Sequence, residues 1–66
     1  MTIGEKLMKE RKDRGLTREA LADRAGVTHV AIWKIETGRV SPRVNTLEKL
    51  AMALGFASAK YLWDGK

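Results

Sequence analysis

Apolar positions along this chain recur at helical spacing and do not alternate as a strand would require. Ile3, Leu7 and Met8 fall on one helical face, with Arg11 one turn further along it. Thr2-Ile3-Gly4-Glu5 has the spacing of a capping box, in which a hydroxyl and a carboxylate three residues on satisfy each other's backbone amides. The first helix is predicted to run to about Arg14, where Gly15 tolerates the left-handed conformation that ends a helix. Thr17 caps a second helix, with Glu19 in its first turn, Leu21, Ala22 and Ala25 facing inward, and Gly26 as its stop. Thr28 caps a third, carrying Ile32 and Ile35 and ending near Thr37-Gly38. After an extended loop at Pro42, Asn45 and Glu48 have the spacing of a second capping box, opening a helix with Leu47, Leu50, Ala51 and Leu54 that stops at Gly55. Ser58 caps a short last helix with Tyr61 and Leu62. No stretch of alternating β-branched residues predicts a strand, so one compact all-α domain over residues 1–66 is expected.

Composition narrows what such a domain can do. The 66 residues contain no cysteine and one histidine, which leaves no disulfide and no thiolate metal site; a lone histidine builds no zinc site without several converging carboxylates, and no metal is expected. Stability must come from efficient helix packing, helped by dimerisation. Lys and Arg number 13 against 8 Asp and Glu, a formal net charge of +5, which favours a polyanion: nucleic acid or an anionic surface. No apolar run approaches the roughly 18 residues of a membrane span. Glu5, Glu10 and Arg11 interrupt any secretory apolar region, so a soluble, cytoplasmic protein with no membrane partner is expected. No acid pair or nucleophile–base set converges in the pattern; neither an enzyme, nor a cofactor, nor a small-molecule substrate is expected.

Residues 17–37 carry the functional signal. Ala22 is small enough for the next helix to cross closely, Gly26 takes the sharp turn, Val27 plugs the corner, and Ile32 and Ile35 pin the following helix. That arrangement predicts a helix-turn-helix, with Thr28, His29, Val30, Trp33, Lys34 and Thr37 on the outer face of its second helix. The competing reading is a plain helical hairpin closed by a glycine turn.

The longer ordered set resembles the Cro and lambda-repressor-like helix-turn-helix family, of the xenobiotic-response-element type, over about residues 3–63. The residues that carry it are Arg11, Gly15-Leu16-Thr17, Leu21-Ala22, Gly26-Val27-Thr28, Ile32, Ile35-Glu36, Gly38-Arg39, Pro42 and Leu50-Ala51-x-Ala53-Leu54-Gly55. The resemblance implies a compact five-helix lambda-repressor-like DNA-binding domain. Its implied role is a sequence-specific transcriptional regulator, a repressor that binds a two-fold operator on double-stranded DNA as a weak homodimer. The family also supplies antitoxins, so a protein-interaction module with secondary DNA binding, anchored on Trp33 and Trp63, is the alternative.

The same resemblance assigns roles to individual residues. His29, Val30 and Lys34 fall at base-reading positions, where Lys34 can donate to guanine and Val30 can pack on a thymine methyl. Trp33 stands where a polar residue is usual; it either joins them against a sugar or methyl group, contacts a partner, or folds back over the following loop. Thr17, Arg18, Thr28, Thr37, Arg39 and Arg43 are expected at phosphates, with solvated surface charge as the alternative for the arginines. Arg18 replaces a glutamine common in relatives. Arg11 and Glu36 are expected to form a largely buried structural ion pair. Tyr61, Leu62 and Trp63 form the candidate dimer surface, unless Tyr61 and Leu62 complete the core. Lys6, Lys9, Lys12 and Arg14 are expected to be solvated.

Overall fold

A computed structural model describes residues 1–63. In chain order its helices are α1 (Ile3–Asp13), α2 (Arg18–Ala25), α3 (His29–Glu36), α4 (Val44–Ala53) and α5 (Ala59–Leu62), and no strand occurs among the described residues. The all-α expectation holds, and so do the first three helix starts. Thr2 Oγ1 accepts from the Glu5 amide at 3.1 Å while Glu5 Oε1 accepts from the Thr2 amide at 2.7 Å, a complete capping box. Thr17 and Thr28 accept from the amides of Ala20 and Ala31, each three residues on, at 3.0 and 3.1 Å.

The α4 start differs from the sequence pattern, and α5 starts after Ser58 as expected but without the side-chain cap expected of it. α4 begins at Val44 with Arg43 as its N-cap, and no side chain caps it. Asn45 is therefore already inside the first turn and its side chain cannot fold back over that turn. Glu48, released from the predicted box, reaches across to accept the Ala59 amide at 2.7 Å. That bond replaces the cap expected of Ser58, which makes no side-chain cap hydrogen bond. A carboxylate on α4 thus holds the start of α5, which is too short to be stable alone.

Leu7, Leu21, Ile32, Leu50 and Leu62 are fully buried, so every helix contributes one large side chain to a single core. Ala22, Ala25 and Ala51 fill the space between them, and Ile35 and Leu54 close the periphery. α2 packs on both α3 and α4, α1 packs on α3, and α5 on α4. Leu62 is 2% exposed, which corrects its assignment to a dimer surface: the core uses it entirely. Trp63 packs against the same core, and of the three only Tyr61, 60% exposed, faces outward.

Two contacts that the sequence pattern did not disclose lock α1 in place. Gly4 is buried, and a Cβ there would overlap the Ile35 carbonyl oxygen and lie 2.9 Å from that of Glu36. The start of α1 therefore meets the end of α3 backbone to backbone. Arg14, expected in solvent, donates from Nε to the Leu54 carbonyl at 2.8 Å and from Nη1 to the Glu10 carbonyl at 2.9 Å. Its guanidinium also lies 5.2 Å from the centre of the Phe56 ring, so it fastens the end of α1 to the end of α4. Lys6 and Lys9 pair with Glu10 and Asp13 along α1. No helix among the described residues is long and apolar enough to cross a membrane.

Candidate nucleic-acid interface

The turn between α2 and α3 sets this surface. Gly26 adopts φ 70°, the left-handed cap predicted for it, and its amide donates to the Ala22 carbonyl. Val27 follows, half-buried against the core, and its amide donates to the same carbonyl at 3.1 Å. With the corner closed, α3 buries Ile32, Ile35 and Glu36. His29, Val30, Trp33, Lys34 and Thr37 remain exposed.

His29, Val30 and Trp33 share an open groove of about 510 Å³ with Thr17, Arg18 and Glu19 of the α2 start and with Arg11. The fold thus joins three of the four expected base-reading residues to two of the expected phosphate residues. Lys34 is exposed but does not line this groove, and Arg39 and Arg43 are exposed in the segment between α3 and α4. Thr28 acts as the α3 cap, and its hydroxyl, like that of Thr17, keeps its own proton available to donate. Thr37 spends its hydroxyl proton on the Trp33 carbonyl, at 2.7 Å.

Behind the groove lies a three-residue charge cluster. Arg11 Nε donates to Glu36 Oε2 at 2.7 Å, Arg11 Nη2 to Oε1 at 3.1 Å, and Arg11 Nη1 to the Leu16 carbonyl at 2.8 Å. This fork matches a carboxylate in the way a guanidinium does best. Arg18 Nε then donates to the same Oε1 at 2.9 Å. The Glu36 side chain is wholly buried and that of Arg11 is 8% exposed, while that of Arg18 is 34% exposed. One carboxylate therefore ties α1, the first residue of α2 and the last residue of α3 together. Two guanidinium groups thus share one carboxylate, and the Glu19 carboxylate on the groove balances the charge left over.

The Arg18–Glu36 bond was not legible beforehand, because the two residues lie on different helices and only their packing sets the distance. Three further features escaped the sequence pattern. Glu19 places a carboxylate in the groove. The Arg39 guanidinium lies 4.6 Å from the centre of the Trp33 ring. Val40, Val44 and Met52 are 46%, 74% and 65% exposed, which amphipathic spacing alone does not announce.

Comparisons with known proteins agree with this geometry. Residues 2–60 match the family model described as a helix-turn-helix domain. The chain is 36% identical over 58 residues to the HTH-type transcriptional regulator PuuR of Escherichia coli, an alignment covering 88% of this chain and 31% of that protein. It is 40% identical over 55 residues to the immunity repressor protein of Bacillus phage phi105, covering 83% of this chain and 38% of that protein. The chain thus spans about a third of the length of these relatives. Among solved structures, the P22 c2 repressor in complex with a synthetic operator superposes with a TM-score of 0.86 at 32% identity, covering 100% of this chain and 98% of that one. Fold, corner and matched residues together place this chain in the helix-turn-helix domain family.

Proposed function

We propose that this chain is the DNA-binding unit of a sequence-specific transcriptional repressor that acts as a dimer on a two-fold operator. The observation that carries this reading is the division of labour along α3. Its inner residues are fully used by the core and the charge cluster, whereas His29, Val30, Trp33 and Lys34 have no part in the core. A helix of eight residues is about 12 Å long, comparable to the width of the DNA major groove.

In that placement His29 and Lys34 donate to base edges and Val30 packs on a thymine methyl. Thr17, Arg18 and Thr28 approach one stretch of backbone from the helix starts, and Arg39 and Arg43 approach the next. The relatives support the same role: they include a phage immunity repressor and a repressor in complex with a synthetic operator. One short helix meets too few base pairs for useful discrimination, which argues for two copies about one helical turn apart. Tyr61, exposed at the end of α5, and the adjoining half-buried Trp63 supply the contact between copies. The compartment expected for such a regulator is the cytoplasm.

Selection of bound duplexes from a random pool tests the reading. A palindromic consensus is the expected result. Absence of enrichment would overturn sequence-specific binding, and enrichment of a single half-site would overturn the dimer.

A further inference from the structure

Trp33 and Arg39 form a pair that the helix-turn-helix frame does not require. Ile32 and Ile35 seat α3 in the core, while Trp33 stays 38% exposed on the groove and Arg39 is exposed beyond the helix end. The backbone nevertheless brings Arg39 back over Trp33. Gly38, at φ 78°, reverses the chain in a conformation that side chains rarely adopt, and its amide donates to the Ile35 carbonyl at 3.1 Å. The Arg39 amide donates to the Lys34 carbonyl at 2.8 Å, joined there by the Val40 amide at 3.3 Å. The Thr37 hydroxyl closes the same turn on the Trp33 carbonyl. Arg39 is thus held at its backbone by α3 and at its tip by the indole, 4.6 Å from the ring centre and inside the range of a cation–π contact.

Two physical consequences follow. A free arginine in a loop gives up its rotamer freedom when it meets a ligand, whereas one already laid on a ring has given up most of it. A guanidinium carries five N–H donors and a contact with an aromatic face satisfies none of them with an acceptor, so donors remain for an anion. We propose that Trp33 is a positioning residue whose indole holds the Arg39 guanidinium ready for a DNA backbone phosphate, so that Trp33 serves affinity through Arg39 and reads no base. The proposal rests on the DNA-binding reading and reassigns one residue within it.

The test combines a measurement on the free protein with a double-mutant cycle. In the free protein, nuclear magnetic resonance should show the Arg39 side-chain protons displaced upfield by the ring. Trp33→Leu should abolish that displacement and Trp33→Phe should retain part of it. Thermal melts establish that each variant is folded. Binding is then measured against a duplex recovered by selection and a scrambled duplex of the same composition, over a series of salt concentrations. Trp33→Leu should weaken both duplexes by the same factor, about two- to fivefold for a contact of this class. It should add no further loss in an Arg39→Ala background, and Trp33→Phe should restore part of the affinity.

Undisplaced Arg39 protons in the unaltered protein, additive losses, or a Trp33→Leu effect confined to the selected duplex would each overturn the proposal while leaving DNA binding intact. Failure of the unaltered protein to bind either duplex would overturn the DNA-binding reading and this proposal with it.

Discussion

Glu36 is the residue on which the architecture turns, since its buried carboxylate accepts from both Arg11 and Arg18. Removing one partner of a buried pair costs about 3–5 kcal/mol, because the remaining charge is stranded. Arg18 would still face Glu36 after Arg11→Ala, so a loss near the lower end of that range is expected. Exposed pairs along a helix, such as Lys9–Asp13, contribute far less, because solvent screens them. The order of destabilisation in urea is therefore Arg11→Ala, then Arg14→Ala, then Lys12→Ala; equal midpoints for Arg11→Ala and Lys12→Ala would contradict the burial argument. On the DNA side, Lys34→Ala should reduce preference for the selected operator and leave the fold intact, as competition against scrambled duplex would reveal. Arg39→Ala should weaken every sequence alike and lower the salt slope by roughly one.

Between elements, the closest approach is that of α1 to α3 at Gly4. Helix propensity favours alanine over glycine by about 1 kcal/mol, but the added Cβ meets two backbone carbonyl oxygens that cannot move without shifting α3. Overpacking of this kind costs about 1–3 kcal/mol, so Gly4→Ala should lower the melting temperature despite its higher helix propensity. A rise would show that α1 can slide. The Glu48–Ala59 bond makes a second prediction at this scale. Glu48→Ala should cost about 0.5–2 kcal/mol, typical of a lost cap, and should raise hydrogen exchange selectively in α5. The starts of α1, α2 and α3 were legible because each cap is satisfied within four residues of chain. The start of α4 and the capping partner of α5 were not, because Glu48 had two amides within reach and only packing of α5 on α4 decided between them.

For the whole molecule, acid sensitivity follows from carboxylates held in their charged form. Hydrogen bonds from Lys6 and then Arg14 hold the Glu10 carboxyl below its usual range, and the Thr2 backbone and hydroxyl do the same for Glu5. A carboxylate depressed in the folded state adds stability that is fully present above its unfolded value and is lost as the pH falls through the folded value. Melting temperature should therefore fall on acidification below the ordinary carboxylate value of 4.5, and Glu10→Gln should flatten that decline. An unchanged acid limb in the variant would remove Glu10 from the cause.

The sequence by itself determined the class of the molecule, because helical period, threonine caps and the Gly26 corner are local properties, settled within a turn or two of chain. It also marked the outer face of α3, since burying Ile32 and Ile35 leaves Val30, Trp33 and Lys34 outside. The tertiary structure alone decided where long side chains end. Arg14 on the Leu54 carbonyl and Arg18 on Glu36 span separations that no short-range pattern encodes, and Leu62 in the core and Arg39 over Trp33 were settled only by the folded chain. An arginine reaches some distance from its backbone, so its partner depends on which helices packing brings near. The charge of +5 was written in the composition; which arginines pair with Glu36 and which face outward was decided by the fold.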